Sequence, residues 1–122
     1  MSGADDPVLE HQLSMNRETW KALEEHGVRE GAELSLDFFF VAPGEEAARA
    51  LATYIGAETD YEAEASSVKT GWLSKPHWGV SGSTPPTAVS PDVLDEWVTW
   101  MVAAGQAHGC EFDGWGAAVP DA

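Results

Sequence analysis

Positive charge is what this sequence has least of: six Lys and Arg stand against 21 Asp and Glu in 122 residues, a formal net charge of −15. A protein that neutralises a run of nucleic-acid phosphates needs a basic patch, and six dispersed cations do not supply one, so direct RNA or DNA binding is not expected. Cysteine is nearly absent too. Cys110 stands alone, which forbids an internal disulfide and fits a reducing compartment. No apolar run approaches the roughly 18–20 residues of a bilayer-spanning helix. The opening residues Met1 to Pro7 are acidic and lack the apolar stretch of a signal peptide. A cytoplasmic protein that does not enter membranes is the expectation.

The usual chemical motifs are missing as well. There is no C-x-x-C, H-E-x-x-H, phosphate-cradling G-x-x-x-x-G-K-[ST] or dinucleotide-binding G-x-G-x-x-G. His108 and Cys110 lie two apart while His11, His26 and His77 are dispersed, which is not the four-ligand spacing of structural zinc. Nothing in the sequence orients His108 as a base for Cys110, so the thiol reads as buried and inert. The carboxylate pairs Glu24-Glu25 and Glu45-Glu46 read as solvated helix positions. No catalytic residue, metal ligand or cofactor is assigned, and the chain is not expected to be an enzyme.

What is present is a core: 43% of the residues are hydrophobic, enough for one domain over residues 1–122 with its centre at about 16–118. Leu9, Leu13, Asn16, Trp20 and Leu23 recur at helical spacing and predict a helix from Pro7 to His26 stopped by Gly27, with a break near Met15 as an alternative. Leu34 to Val41 predicts a strand, Glu45 to Ile55 a helix stopped by Gly56, and Ala57 to Val68 a second strand. A loop over Lys69 to His77 precedes a third strand from Trp78 to Ser83; Thr84 to Ser90, with Pro85-Pro86, reads as another loop. Ser90-Pro91-Asp92 starts a helix that runs to His108, and Cys110 to Trp115 closes as a strand before a short tail. The order is an extra helix and then βαββαβ. That predicts an α+β, ferredoxin-like sandwich, with two helices on one face of a four-stranded antiparallel sheet.

The alternation of each strand then points to a surface. In the second strand Glu58, Asp60, Glu62 and Glu64 share one face, about 6.6–6.8 Å apart. In the first, Leu34, Leu36, Phe38 and Phe40 oppose Ser35, Asp37, Phe39 and Val41; in the last, Cys110, Phe112 and Gly114 oppose Glu111, Asp113 and Trp115. If the apolar sets meet the helices, the other face gathers Asp37, Phe39, Glu58, Asp60, Glu62, Glu64, Glu111, Asp113 and Trp115. Carboxylates among exposed aromatic rings suit an arginine-rich protein partner. Two other readings stand beside it: a plain solvated face, or one covered by the extra helix through Trp20 and Leu23. Trp97 and Trp100 widen the apolar arc of the last helix beyond the sheet, which calls for a second packing partner, the extra helix or another copy of the chain.

The stretch His108-Gly109-Cys110-Glu111-Phe112-Asp113-Gly114-Trp115-Gly116 resembles the closing G-x-[FY]-D-G-W-G signature of the bacterial family of regulators of ribonuclease E activity, protein B. Asn16 to Leu23 is similar to that family's opening helix, Asp37 to Phe40 to its first strand, and Trp78 to Ser81 to its W-x-V strand; the likeness runs from about Asn16 to Ala118. The Lys69–Pro76 segment with Trp72 and the Pro85-Pro86 loop depart from the pattern. The resemblance implies a ferredoxin-like fold and a non-enzymatic role, binding the arginine-rich regulatory region of endoribonuclease E and damping RNA cleavage. An interaction or dimerisation module with an unrelated partner is the alternative. Only Asp113, Gly114, Trp115 and Gly116 match the signature, and Trp115 has two readings: an exposed anchor for the partner, or a core ring placed by its flanking glycines.

Overall fold

Each segment buries the residues its period selects, and the sheet is built on that pattern. The computed structural model describes residues 7–68 and 77–117. The loop expected over Lys69–Pro76 lies outside them, as does the chain after Ala117. The elements are α1 (Pro7–Glu25), β1 (Glu33–Leu34), β2 (Leu36–Ala42), α2 (Glu45–Glu58), β3 (Glu62–Val68), β4 (His77–Ser83), β5 (Thr87–Ala88), α3 (Pro91–Ala107) and β6 (Glu111–Ala117). The main sheet is antiparallel in the order β3-β4-β2-β6. With α2 and α3 on one face, this is the expected split βαββαβ arrangement.

Local chemistry sets most boundaries as expected. Gly27 and Gly109 follow α1 and α3 at φ +90° and +73°, where a side chain would be strained. Ser90 Oγ accepts the Val93 N–H at 3.2 Å and Pro91 opens α3. α1 runs unbroken through Met15, as the expected Pro7–His26 helix does. Three other expectations change. Gly56 does not stop α2, which runs on to Glu58 and closes at Thr59, whose N–H and hydroxyl both donate to Ile55 O, at 3.0 and 2.6 Å. β3 therefore begins at Glu62, not near Ala57. Finally, the expected Thr84–Ser90 loop contains β5, which pairs with β1 in a two-residue ladder too short for alternation to reveal. Gly31 N–H to Val89 O (2.8 Å) and Val89 N–H to Ala32 O (3.0 Å) extend that ladder and tie the approach to β2 to the approach to α3.

The core lies between the sheet and the helices. Leu36, Phe38, Phe40, Val80 and Phe112 from the strands meet Leu51, Ile55, Leu94, Val98 and Met101 from the helices, all essentially buried. Each such side chain contributes on the order of 1.5–3 kcal/mol. Phe38 lies against β4 because its neighbour there is Gly82. A Cβ on Gly82 would stand 2.5 Å from Phe38 Cζ and collide with the Glu62 carbonyl.

α1 lies beside α3 on this same face, not across the open side of the sheet. Gln12 Nε2 donates to Phe112 O (3.3 Å), Asn16 Nδ2 to Asp95 Oδ1 (3.1 Å), and Trp115 Nε1 to Asn16 Oδ1 (2.8 Å). Asn16 is 3% exposed, so it joins α1, α3 and β6 out of water. The wide apolar arc of α3 is thereby largely covered within the chain, Val93 staying exposed and Trp100 half-buried. Trp97 packs edge-on against Phe38, Phe112 and Trp115, and Trp100 stacks on Tyr54 of α2. Replacing Asn16 by Ala leaves two partly buried polar partners, Asp95 and Trp115 Nε1, unmatched and is expected to cost about 1–3 kcal/mol. The check is a lower urea midpoint at unchanged m-value; an unchanged midpoint would show that this bond does not hold α1.

Candidate functional site

The open face of the sheet is a grid read off the strand register. One row runs Glu62, Ser83, Asp37, Gly116; the next Glu64, Ser81, Phe39, Gly114; the third Ser66, Gly79, Val41, Glu111. Its floor is made of serine and glycine, so Phe39 and Val41 stand uncovered at 46% and 37% exposure. Directly opposed residues in such a sheet are about 4.5–5.5 Å apart. Asp37 and Glu111 therefore lie beside the two apolar side chains, while Glu62 and Glu64 stand one strand further off, across β4, and all four are exposed. None has a salt-bridge partner among the described residues, where Arg49 pairs with Glu45 on α2 at 2.7 Å.

The last strand departs from simple alternation. Phe39 pairs with Gly114 but Phe40 pairs with Phe112, so Asp113 is one residue more than β2 can match, a β-bulge. Asp113 stays on the open face and lines a shallow depression with Phe39, Val41 and Ser81. Gly114 takes φ +141°, which L side chains rarely adopt. After the bulge the alternation is reversed. Trp115 is opposite Phe38 and points to the helices, where its ring meets Trp97 at 5.9 Å and its N–H reaches Asn16.

Of the nine residues expected on this face, Asp37, Phe39, Glu62, Glu64, Glu111 and Asp113 are brought together. Three are not. Trp115 is turned away by the bulge, which counting by twos does not see. Glu58 belongs to the last turn of α2, and Asp60 sits in the bend before β3, because α2 outruns Gly56. The alternative reading, in which the extra helix covers the face through Trp20 and Leu23, does not hold, since both are buried and α1 packs beside α3. Sequence reasoning missed Val41 as part of the apolar centre and missed the small-residue floor. The signal for the floor was Gly79, Ser81 and Ser83 at period two. Among the described residues no three of His, Cys, Asp and Glu converge as metal ligands do, and no helix is long and apolar enough to cross a membrane.

The family model described as regulator of ribonuclease activity B matches residues 13–117, most of the chain and all of the sheet. The chain belongs to this family of ribonuclease regulators. No protein among those with curated functions matches it. In this regulator the D-G-W sequence has a structural reading: Asp113 is the bulged residue, Gly114 supplies the backbone angle, and Trp115 is the ring that the bulge delivers to Trp97 and Asn16.

Two groups on the helix side have perturbed titration. Burial raises the Tyr61 phenol, the Trp97 indole opposing it and Asp60 adding to it. Burial raises the Cys110 thiol as well; its Sγ faces Ala47 O at 3.8 Å and His108 O at 3.6 Å. A folded pKa above the unfolded value means stability that is whole at neutral pH and is lost as pH climbs past the unfolded pKa towards the folded one. Stability should therefore fall above about pH 9–10, and Tyr61→Phe should blunt the upper part of that fall. A second prediction concerns the bulge. Gly114→Ala should cost about 1–3 kcal/mol for the strained backbone and alter the near-ultraviolet circular dichroism of Trp115 and Trp97. Wild-type values for both would remove the bulge from the account.

Proposed function

We propose that this regulator acts without catalysis, by binding a basic, arginine-rich segment of a nuclease on its open sheet face, endoribonuclease E being the candidate. One observation carries this reading: Asp37, Glu62, Glu64, Glu111 and Asp113 share one sheet face with exposed Phe39 and Val41, over a floor of serine and glycine. An arginine-rich segment suits it on three counts. Carboxylates take guanidinium groups in forked, charge-assisted hydrogen bonds. The Phe39 ring offers a π face to a cation. The flat floor lets an extended main chain lie close to the sheet. The net charge of −15 adds attraction at a distance and speeds encounter with a basic partner.

The same charges argue against this face as a contact between two copies of the chain. Paired face to face, it would set carboxylates against carboxylates around a small apolar centre, and like charges at close range cost several kcal/mol. The role then follows from occupancy: a nuclease whose basic regulatory segment is covered binds and cleaves RNA less.

The test uses the whole chain and a purified arginine-rich segment of endoribonuclease E in calorimetry. Affinity should fall as salt rises, since exposed charges are screened over about 8–10 Å near physiological ionic strength. Changing Asp37 to Asn with Glu62, Glu64 and Glu111 to Gln should weaken binding at least about a hundredfold, at roughly 1 kcal/mol for each exposed pair lost, with the melting temperature nearly unchanged. Phe39→Ala should cost about 2 kcal/mol of binding. Full affinity in the four-charge variant would place the site elsewhere.

A further inference from the structure

On the helix side of the sheet, the end of α2 and the middle of α3 enclose a groove of about 400 Å³. Rings of Tyr61, Trp97 and Trp100 line it, with the exposed carboxylates of Glu58 and Glu96 and the side chain of Val93, itself 38% exposed. The rings are held by the core. Trp100 stacks on Tyr54 with planes 12° apart, Tyr61 leans on Phe38 at 6.0 Å, and Trp97 is wedged between Phe112 and Trp115. The groove therefore cannot close by folding its aromatic walls inward. Among the described residues no Lys or Arg lines it. Trp97 Nε1 is buried there and has no hydrogen-bond partner among the described residues. The Tyr61 phenol lies close enough that this indole holds its pKa down against the effect of burial.

We propose that this groove is a receptor for one arginine side chain of a basic protein segment. Aromatic faces attract a cation strongly where water is thinned out, and a guanidinium, flat and weakly hydrated, stacks on them better than a compact, tightly hydrated ammonium. Glu58 and Glu96 supply carboxylate oxygens for its forked N–H groups. The volume is that of a small ligand site and takes the side chain with the adjoining main chain. Glu58 has this role because α2 runs past Gly56; the same feature removes it from the sheet face. The proposal rests on the reading above in taking the partner to be a basic protein, but the groove and the open face lie on opposite sides of the sheet.

The experiment is a proton–nitrogen NMR titration of the full chain with the blocked peptide acetyl-Gly-Arg-Gly-Arg-Gly-amide and its lysine counterpart. The indole N–H resonances of Trp97 and Trp100 should shift saturably with the arginine peptide, and the lysine peptide should bind about tenfold more weakly. The double variant Glu58→Gln/Glu96→Gln, changed only at exposed positions, should keep its melting temperature and lose about tenfold in affinity. Glu62→Gln/Glu64→Gln on the open face should leave the indole shifts unchanged. Unmoved indole resonances, an equal response to the lysine peptide, or full affinity in the Glu58/Glu96 variant would overturn the proposal. Failure of the ribonuclease reading looks different: the nuclease segment would not bind at all while the arginine peptide still fills the groove.

Discussion

Trp115 Nε1 and Asn16 Oδ1 stand 2.8 Å apart because β6 holds one residue more than β2 can match. Were Asp113 paired in regular alternation and not bulged out, Trp115 would stand on the open face, away from Asn16. With the bulge, the indole passes beneath α3, meets Trp97, and finds a side chain on α1 that also bonds Asp95. Three elements distant in the sequence are fixed through one buried amide. Unmatched buried polar groups cost more than their hydrogen bonds contribute when made, so the arrangement works largely by penalising any other placement of α1. The open sheet face is the complement of this: a large aromatic ring is moved off it, and a flat floor of small residues is left around Phe39.

The parts of the fold legible in the sequence were those where period and chemistry agree. β2 alternates without exception, Leu36, Phe38, Phe40 and Ala42 inward against Asp37, Phe39 and Val41 outward, and its register organises the sheet. Ser90-Pro91-Asp92 opens α3 where capping chemistry puts it. The parts that were not legible share a cause: a local rule was carried past the point where packing overrides it. Alternation carried through Asp113-Gly114 puts Trp115 on the wrong face, although a glycine inside a strand is a sign of a bulge. Gly56 as a helix stop ignores Ile55, whose burial keeps the last turn of α2 against the sheet. Glu58, Asp60, Glu62 and Glu64 read as one acidic row because carboxylates are indifferent to which period places them in water. Gln12, polar and buried, carries no apolar signal and shows its part only once Phe112 O is beside it.

The functional surfaces follow from the same geometry. Carboxylates on the open face gather because the strands there alternate against a core, and their repulsion is tolerated because each is solvated. That leaves a surface short of positive charge, which is why a basic partner is proposed for it; on that proposal, regulation comes from occupancy of a nuclease segment. The groove between α2 and α3 has a different character, half open and aromatic, and on the proposals above would take a single side chain where the open face would take a charge pattern.

The most direct measurement is NMR mapping of the full chain titrated with the arginine-rich regulatory segment of endoribonuclease E. The account predicts the largest shift changes along the open face, at Phe39, Glu64, Ser81 and Gly114, with the amides of α1 and the Asn16 side chain unmoved. Changes concentrated on α1 and the outer side of α3, with Phe39 silent, would contradict it.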